Sequence, residues 1–297
     1  MKIFNYLIFP GICFSVFLGG LGWWLERKLT ARFQYRVGPP WYQNFFDIAK
    51  LFLKETIIPQ NASKTLFLLS PIICFSSALI FTLMITENYF LKHNFLGDVL
   101  VMLYFLIIPS LFIIIGGFSS SNPLAFAGSS REIKLMLAYE FIFIMSLIIS
   151  IIKSGGNLLL AKIIENQIQN GSYLKTLSGT IGFILSIFYI QAKLGIVPFD
   201  IPEAEQEISA GPFIEYSGPL LGFYKLSKLL LYFSLPLFII SLFSPKNFLY
   251  KYLLFILIIS VMKNINPRLR IKSALNFFWF LLFPLGILGL ILALKGF

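Results

Sequence analysis

Leu66–Ile85 reads LFLLSPIICFSSALIFTLMI, and Val99–Gly117 reads VLVMLYFLIIPSLFIIIGG. Neither holds a charged residue, and each is close to the ~20 residues a helix needs to cross about 30 Å of hydrocarbon. Hydrocarbon offers a backbone no water to pair with, so such a stretch must satisfy its own polar groups as a helix. Working outward, comparable runs are Ile3–Leu25, Leu135–Ile152, Leu177–Leu194, Pro219–Phe243, Phe248–Met262 and Leu275–Leu294. The run ending at Met262 is short, and the one before it contains Lys225, Lys228 and Pro236. The expected fold is an all-α integral membrane protein with about eight transmembrane helices, forming one polytopic domain over residues 1–297.

Composition agrees. The 297 residues are 58% hydrophobic and 12% charged, with a mean hydropathy of +0.84. Soluble domains carry about 25% charged residues, so this chain could not cover a water-facing surface of its own. Its 34 Phe residues are bulk that lipid-facing helices carry without aggregating. A net charge of +11 would indicate nucleic acid in a soluble protein. Here the basic residues fall between apolar runs, which reads as membrane orientation, and no nucleic-acid partner is expected. Cys13 and Cys74 lie inside apolar runs, and two thiols cannot hold an iron–sulfur cluster or a structural zinc ion. His93 stands alone in a short loop. No metal or cofactor is expected in this chain.

Lys and Arg set the expected topology. With the N-terminus outside, segments 26–65, 118–134, 195–218 and 263–274 face the cytoplasm and hold 13 basic residues, against 8 in the outer segments and span ends. Ile3–Leu25 could pass for a signal peptide. Lys2 is its only n-region charge, no small-residue cleavage site follows, and Glu26-Arg27-Lys28 comes next, so it is expected to remain in the mature protein. Asn44–Ile57 (NFFDIAKLFLKETI) sets Phe45, Ile48, Leu51 and Phe52 on one helical face with Asp47, Lys50 and Lys54 largely opposite. That pattern predicts an amphipathic helix at the inner surface. Gly155–Gly171 predicts a similar helix at the outer surface. No internal repeat is evident, which argues against an inverted-repeat transporter.

The least ordinary segment is the acidic loop Gly195–Ser217 (GIVPFDIPEAEQEISAGPFIEYS). It carries Asp200, Glu203, Glu205, Glu207 and Glu215, five of the thirteen acidic residues, and no basic residue. Pro202 suits a first helical turn, placing Glu203 and Glu205 near the positive end of a helix dipole. Glu203 and Glu207 would then share a face at i, i+4, where like charges repel. One reading is a solvated loop with favourable helix-end charges. The other packs these carboxylates against Arg27, Arg32, Arg36 and Arg131 on the same side of the membrane, with the shifted and coupled titrations a proton relay requires. Spans on both sides of the segment favour the second.

Glu140 sits inside an apolar run (KLMLAYEFIFIMS, Lys134–Ser146). A carboxylate at membrane depth is costly and reads as functional, the plainer alternative being a polar anchor bonded to a neighbouring helix. Lys225 and Lys228 stand at i, i+3; they could snorkel toward the interface or serve as counter-ions for Glu140 or the acidic loop.

Four stretches carry a family resemblance. They are ERKLTARFQYRVGPP (Glu26–Pro40), SSREIKLMLAYE (Ser129–Glu140), PFDIPEAEQEISAGPFIEYSGPL (Pro198–Leu220) and INPRLRI (Ile265–Ile271). In this order they resemble subunit 1 of respiratory complex I, the H-type membrane subunit of the bacterial enzyme, and its counterparts in energy-converting membrane-bound hydrogenases. The likeness covers nearly the whole chain, and the acidic motif is its most specific part. It implies an eight-helix fold at the heel of the complex, where the peripheral redox arm docks on the membrane arm. It also implies coupling roles for Glu26, Arg27, Arg36, Glu140, Asp200, Glu203, Glu205, Glu207 and Glu215.

Within the family, AGPFIEYSGPLLGFYKLSKLL (Ala210–Leu230), GPPWYQNFFDIAKLFLKE (Gly38–Glu55) and SSREIKLMLAYE look closer to the hydrogenase branch. Quinone-reducing members tend to carry an acidic residue in the helix after EYSG, where Lys225 and Lys228 stand here. Lys272 stands where the family pattern leads one to expect an acidic residue. The resemblance therefore implies a non-redox membrane subunit of an ion-pumping hydrogenase in the cytoplasmic (inner) membrane. Its expected partners are a peripheral hydrogenase-like subunit with a [NiFe] site, iron–sulfur subunits, antiporter-like membrane subunits and the lipid bilayer. On this reading Glu140, Asp200, Glu203, Glu205, Glu207, Glu215, Lys225 and Lys228 form the ion path, while Glu26, Arg27, Arg32, Arg36 and Arg131 serve docking. The alternatives are a complex I subunit forming the entrance of a quinone chamber and a stand-alone ion channel or transporter.

Overall fold

Apolar runs of this length fold as helices, and the computed structural model, which describes residues 6–92 and 97–296, consists of helices joined by short connections. They are α1 (Ile12–Phe33), α2 (Gln43–Phe52), α3 (Lys64–Leu91) and α4 (Asp98–Ser119). There follow α5 (Pro123–Lys153), α6 (Leu160–Asn170), α7 (Leu177–Lys193), α8 (Gly218–Phe243), α9 (Phe248–Ile265) and α10 (Ile271–Leu294). Both α3 and α10 contain a π-helical turn, Glu87–Leu91 and Phe277–Leu282. His93 lies outside the described residues.

Six of these helices, α3, α4, α5, α8, α9 and α10, are long and apolar enough to span a membrane. α7, at 17 residues, is a shorter apolar helix, and the 22-residue α1 is apolar only up to Leu25; the chain is an integral membrane protein. The first span differs from its sequence boundaries. Its helix starts at Ile12 and runs through Glu26, Arg27, Lys28 and Arg32 to Phe33, so the charged motif continues the helix rather than opening a loop. Segment 118–134 differs too. Pro123 at the first turn and the Asn122 side chain, which accepts from the Leu124 amide, start α5 there, as such residues do at helix N-termini. The resulting 31-residue helix is about 46 Å long at 1.5 Å per residue, well beyond the hydrocarbon thickness. Arg131 and Glu132 therefore ride on a helix.

The core is organised around α8. Of its apolar window 89% is buried inside the protein, against 28% for α10; a helix apolar on all sides belongs at a centre. Helices α1, α2, α3, α5, α6, α7 and α9 all touch it. Small residues set the closest approaches: a side chain at Gly19 would strike the Leu229 carbonyl, and one at Gly20 the Phe45 ring. The second contact lets amphipathic α2 lie across α1 with Asn44 and Ile48 buried. On the far side α6 is the other amphipathic helix; it packs Ile163 and Ile164 inward and Gln167 onto the Ser241 and Leu242 carbonyls.

Candidate functional site

The acidic segment is folded, not a solvated loop. It forms three single turns, Ile201–Glu203, Glu205–Ile208 and Gly211–Phe213. Phe199, Ile201, Ala204 and Ile208 are buried. Gly211 adopts the left-handed region at φ +51°, and any Cβ there would meet the Pro202 carbonyl. Pro212 seats against Gly117 of α4 and Gly128 of α5, where added Cβ atoms would lie 3.1 and 2.7 Å from its atoms. Ala204, at ψ 100°, breaks the helix between Glu203 and Glu207. The two carboxylates therefore do not share a face. Glu203 turns inward to Lys228 and Glu207 outward to Arg131.

Three carboxylates on this side, Glu203, Asp200 and Glu26, each have their own cation. Lys228 Nζ lies 3.0 Å from Glu203 Oε2, and Arg268 Nε lies 2.9 Å from Asp200 Oδ2. Lys263 Nζ lies 2.7 Å from Glu26 Oε1, which also accepts from Thr30 Oγ1. These pairs surround a cavity of about 300 Å³ whose wall includes Trp23, Glu26, Asp200, Lys228, Lys263 and Arg268. Burial raises the Asp200 carboxyl above the ordinary range, and Arg268 only partly offsets it. Arg131 Nη1 meets Glu207 Oε2 at 2.7 Å toward solvent.

Deeper in, a small cavity of about 20 Å³ is lined by Glu132, Lys193, Gly195, Glu203 and Pro212, among others. That is room for one water. Tyr139 donates to Glu132 Oε1 at 3.1 Å, so Ser110 donates to Tyr139. Beyond the cavity, Lys193 Nζ lies 2.6 Å from Glu140 Oε1, with Lys193's side chain fully buried and Glu140's 8% exposed. Tyr189 donates to the same oxygen at 3.5 Å, and Oε2 of Glu140 has no partner.

The structure thus joins Asp200, Lys228 and Glu26 at one cavity, and Glu203, bonded to Lys228, lines the smaller cavity that leads inward toward Glu140. It does not pair Glu140 with Lys225 or Lys228; Lys193 holds that position. Arg27 bonds Asn44 and approaches Asp47 at 3.6 Å, in place of the acidic segment. Glu215 accepts from Asn122. Among the described residues Lys225, Glu205, Arg32 and Arg36 make no ion pair, and the last three are exposed. Sequence reasoning missed Lys193 and Glu132, although both lie beside recognised motifs, and treated Lys263 and Arg268 only as orientation charges. The available signal was a lysine closing an apolar run two residues before the acidic segment.

These features define a polytopic membrane protein whose charges are organised in its interior, in a line from a folded acidic segment toward a carboxylate buried in the middle of α5. Residues 5–294 match the NADH dehydrogenase family, and the chain belongs to it. It is 30% identical to the H-type subunit of the NADH-quinone oxidoreductase of Bacillus thuringiensis (strain Al Hakam), over 97% of this chain and 93% of the relative. The counterpart from Bacillus cereus (strain AH187) matches to the same extent. Its fold is similar to a chain in the structure of the membrane-bound sulfane sulfur reductase, an archaeal respiratory membrane complex. That match has a TM-score of 0.86 and 27% identity and covers 95% of this chain and 96% of the other. The chain is a homologue of the H-type membrane subunit of complex I.

Proposed function

We propose that this chain is the non-redox membrane subunit of a complex I-like, ion-pumping hydrogenase in the cytoplasmic membrane, with its N-terminus outside. It anchors the peripheral arm and relays redox-linked electrostatic change into H⁺ or Na⁺ movement. The observation that carries this reading is the succession of charged pairs from the acidic segment to the buried Glu140–Lys193 pair. Charges with such close partners respond to one another in a low-dielectric interior. Carboxylates at depth exchange protons, whereas electron transfer needs redox centres, which this proposal assigns to [NiFe] and iron–sulfur partner subunits. Arg131, Glu205, Glu207, Arg32 and Arg36 present the docking charges, and Glu26 and Arg27 brace α1 behind them. Glu215, bonded to Asn122, ties the segment to the start of α5, and Lys225 lends a second ammonium one turn from Lys228. Antiporter-like membrane subunits would continue the path along the bilayer.

A second reading makes the 300 Å³ cavity the entrance of a quinone chamber, and the 30% identity to quinone oxidoreductase subunits favours it. The lysines at 225 and 228, in the helix where quinone reducers tend to carry an acid, favour the first. Gentle solubilisation followed by identification of the co-purifying subunits separates them. A [NiFe] protein without bound quinone is the expected result; bound quinone without a [NiFe] protein establishes the second reading.

A further inference from the structure

Lys193 closes α7 and faces charged or titratable groups from four other elements. Glu140, Tyr139 and Glu132 come from α5, and Glu203 comes from the acidic segment across the small cavity. Lys228 of α8 and Cys74 of α3 lie within reach of the same field. On its own helix, Tyr189 places its ring 6.0 Å from the ammonium, and Tyr139 places its ring at 5.5 Å. The ammonium lies between two aromatic rings and one carboxylate, and its residue also lines the one-water cavity shared with Glu132 and Glu203. Glu132, Glu140 and Glu203 have the ammoniums of Lys193 and Lys228 beside them, and Lys225, one turn from Lys228, acts on Glu203.

We propose that Lys193 is the positioning residue that keeps Glu140 ionised, and that its ammonium moves from Glu140 to Glu132 when Glu140 takes up a proton. This inference rests on reading the network as an ion path. In the step, a hydronium proton arriving from the acidic-segment side joins a Glu140 oxygen and leaves neutral water behind. Lys193 keeps all its protons and exchanges one carboxylate for the other across the cavity they share, so its ammonium is not left unpaired in the interior. Glu140 then carries a proton without a neighbouring cation to repel it, and the return of Lys193 releases that proton. Glu140 Oε2, whose lone pairs have no hydrogen-bond partner, offers the place where the proton enters.

The test is infrared spectroscopy on the purified complex, read beside ion transport in sealed vesicles. At neutral pH wild type should show no protonated-carboxyl C=O band from Glu140. Lys193→Met should show one that vanishes on adding Glu140→Gln, and its ion-to-electron ratio should fall to that of Glu140→Gln alone. Lys193→Arg keeps the charge and should show no band. An unchanged band pattern in Lys193→Met, or an unchanged transport ratio, overturns the proposal. If Lys193→Met does not assemble, the Lys193→Met/Glu140→Gln pair leaves no lone buried charge and replaces it. A transport ratio equal to that of Glu140→Gln supports the proposal, and a lower one overturns it. If wild-type vesicles move no ions, the proposed function fails, while the infrared comparison still decides whether Lys193 sets the charge of Glu140.

Discussion

Replacing Lys263 by Met isolates the energetics of the cavity wall. Glu26 is 2% exposed and has Lys263 as its only cation within salt-bridge distance among the described residues. Removing one partner of a buried pair strands the other charge, at about 3–5 kcal/mol. Lys263 keeps 29% of its side chain in solvent, and Thr30 continues to donate to Glu26, so the loss is discounted to just below that scale, about 2–3 kcal/mol. At roughly 2–4 °C per kcal/mol for a chain of this size class, the thermal midpoint of the solubilised complex should drop by about 5–10 °C. Glu26→Gln in the Lys263→Met background removes the stranded charge and should recover most of the loss. A double-mutant cycle on thermal midpoints measures this directly. Additive losses would falsify the claim that these two residues, 237 positions apart in sequence, form one buried electrostatic unit.

Other outcomes follow from the same geometry. Arg131→Ala breaks a solvent-facing pair whose Glu207 side chain is 63% exposed. It should change the stability of the isolated subunit by less than about 1 kcal/mol yet reduce crosslinking to the peripheral arm; unchanged crosslinking removes Arg131 from the docking surface. Gly128→Val drives a side chain into Gly211 and Pro212, so protease sensitivity of the acidic segment should rise sharply; an unchanged digestion pattern means the packing is looser than described. Asp200 has a raised carboxyl because burial outweighs Arg268, so the folded state holds its proton to higher pH than the unfolded state. Its contribution favours folding below the ordinary carboxylate range and is lost as pH rises through the raised value. Asp200→Asn should abolish that part of the pH dependence, measured as thermal midpoints across the acidic range; an unaltered profile refutes the assignment. Reporter fusions after Phe33 should read cytoplasmic and fusions at the C-terminus external; the reverse pattern inverts the proposed orientation.

The spans were legible because hydrocarbon thickness imposes a length that only long apolar runs meet. What escaped the sequence was helix that continues past the apolar run. SSREIK interrupts the hydropathy at the start of α5 but not the hydrogen-bond ladder, although Asn122-Pro123 was a readable start signal. The i, i+4 pairing of Glu203 with Glu207 failed because EAEQE has the composition of a helix while Ala204 takes an extended ψ. The acidic segment and Glu140 stood out as charges against their surroundings. Their partners did not, since the Glu140–Lys193 contact joins positions 53 residues apart and a lysine at a span end looks like any interfacial cation.

The central claim is that ions, and not electrons, pass by way of Glu140. Glu140→Gln keeps the shape and much of the hydrogen bonding while removing charge and titration. The decisive measurement is the ratio of ions moved to electrons transferred by the assembled complex in sealed vesicles, wild type beside Glu140→Gln and Glu140→Asp. The account predicts a sharp fall in Glu140→Gln, partial recovery in Glu140→Asp, and unchanged electron transfer to an artificial acceptor. A wild-type ratio in Glu140→Gln would contradict it and reduce the Glu140–Lys193 pair to a structural anchor.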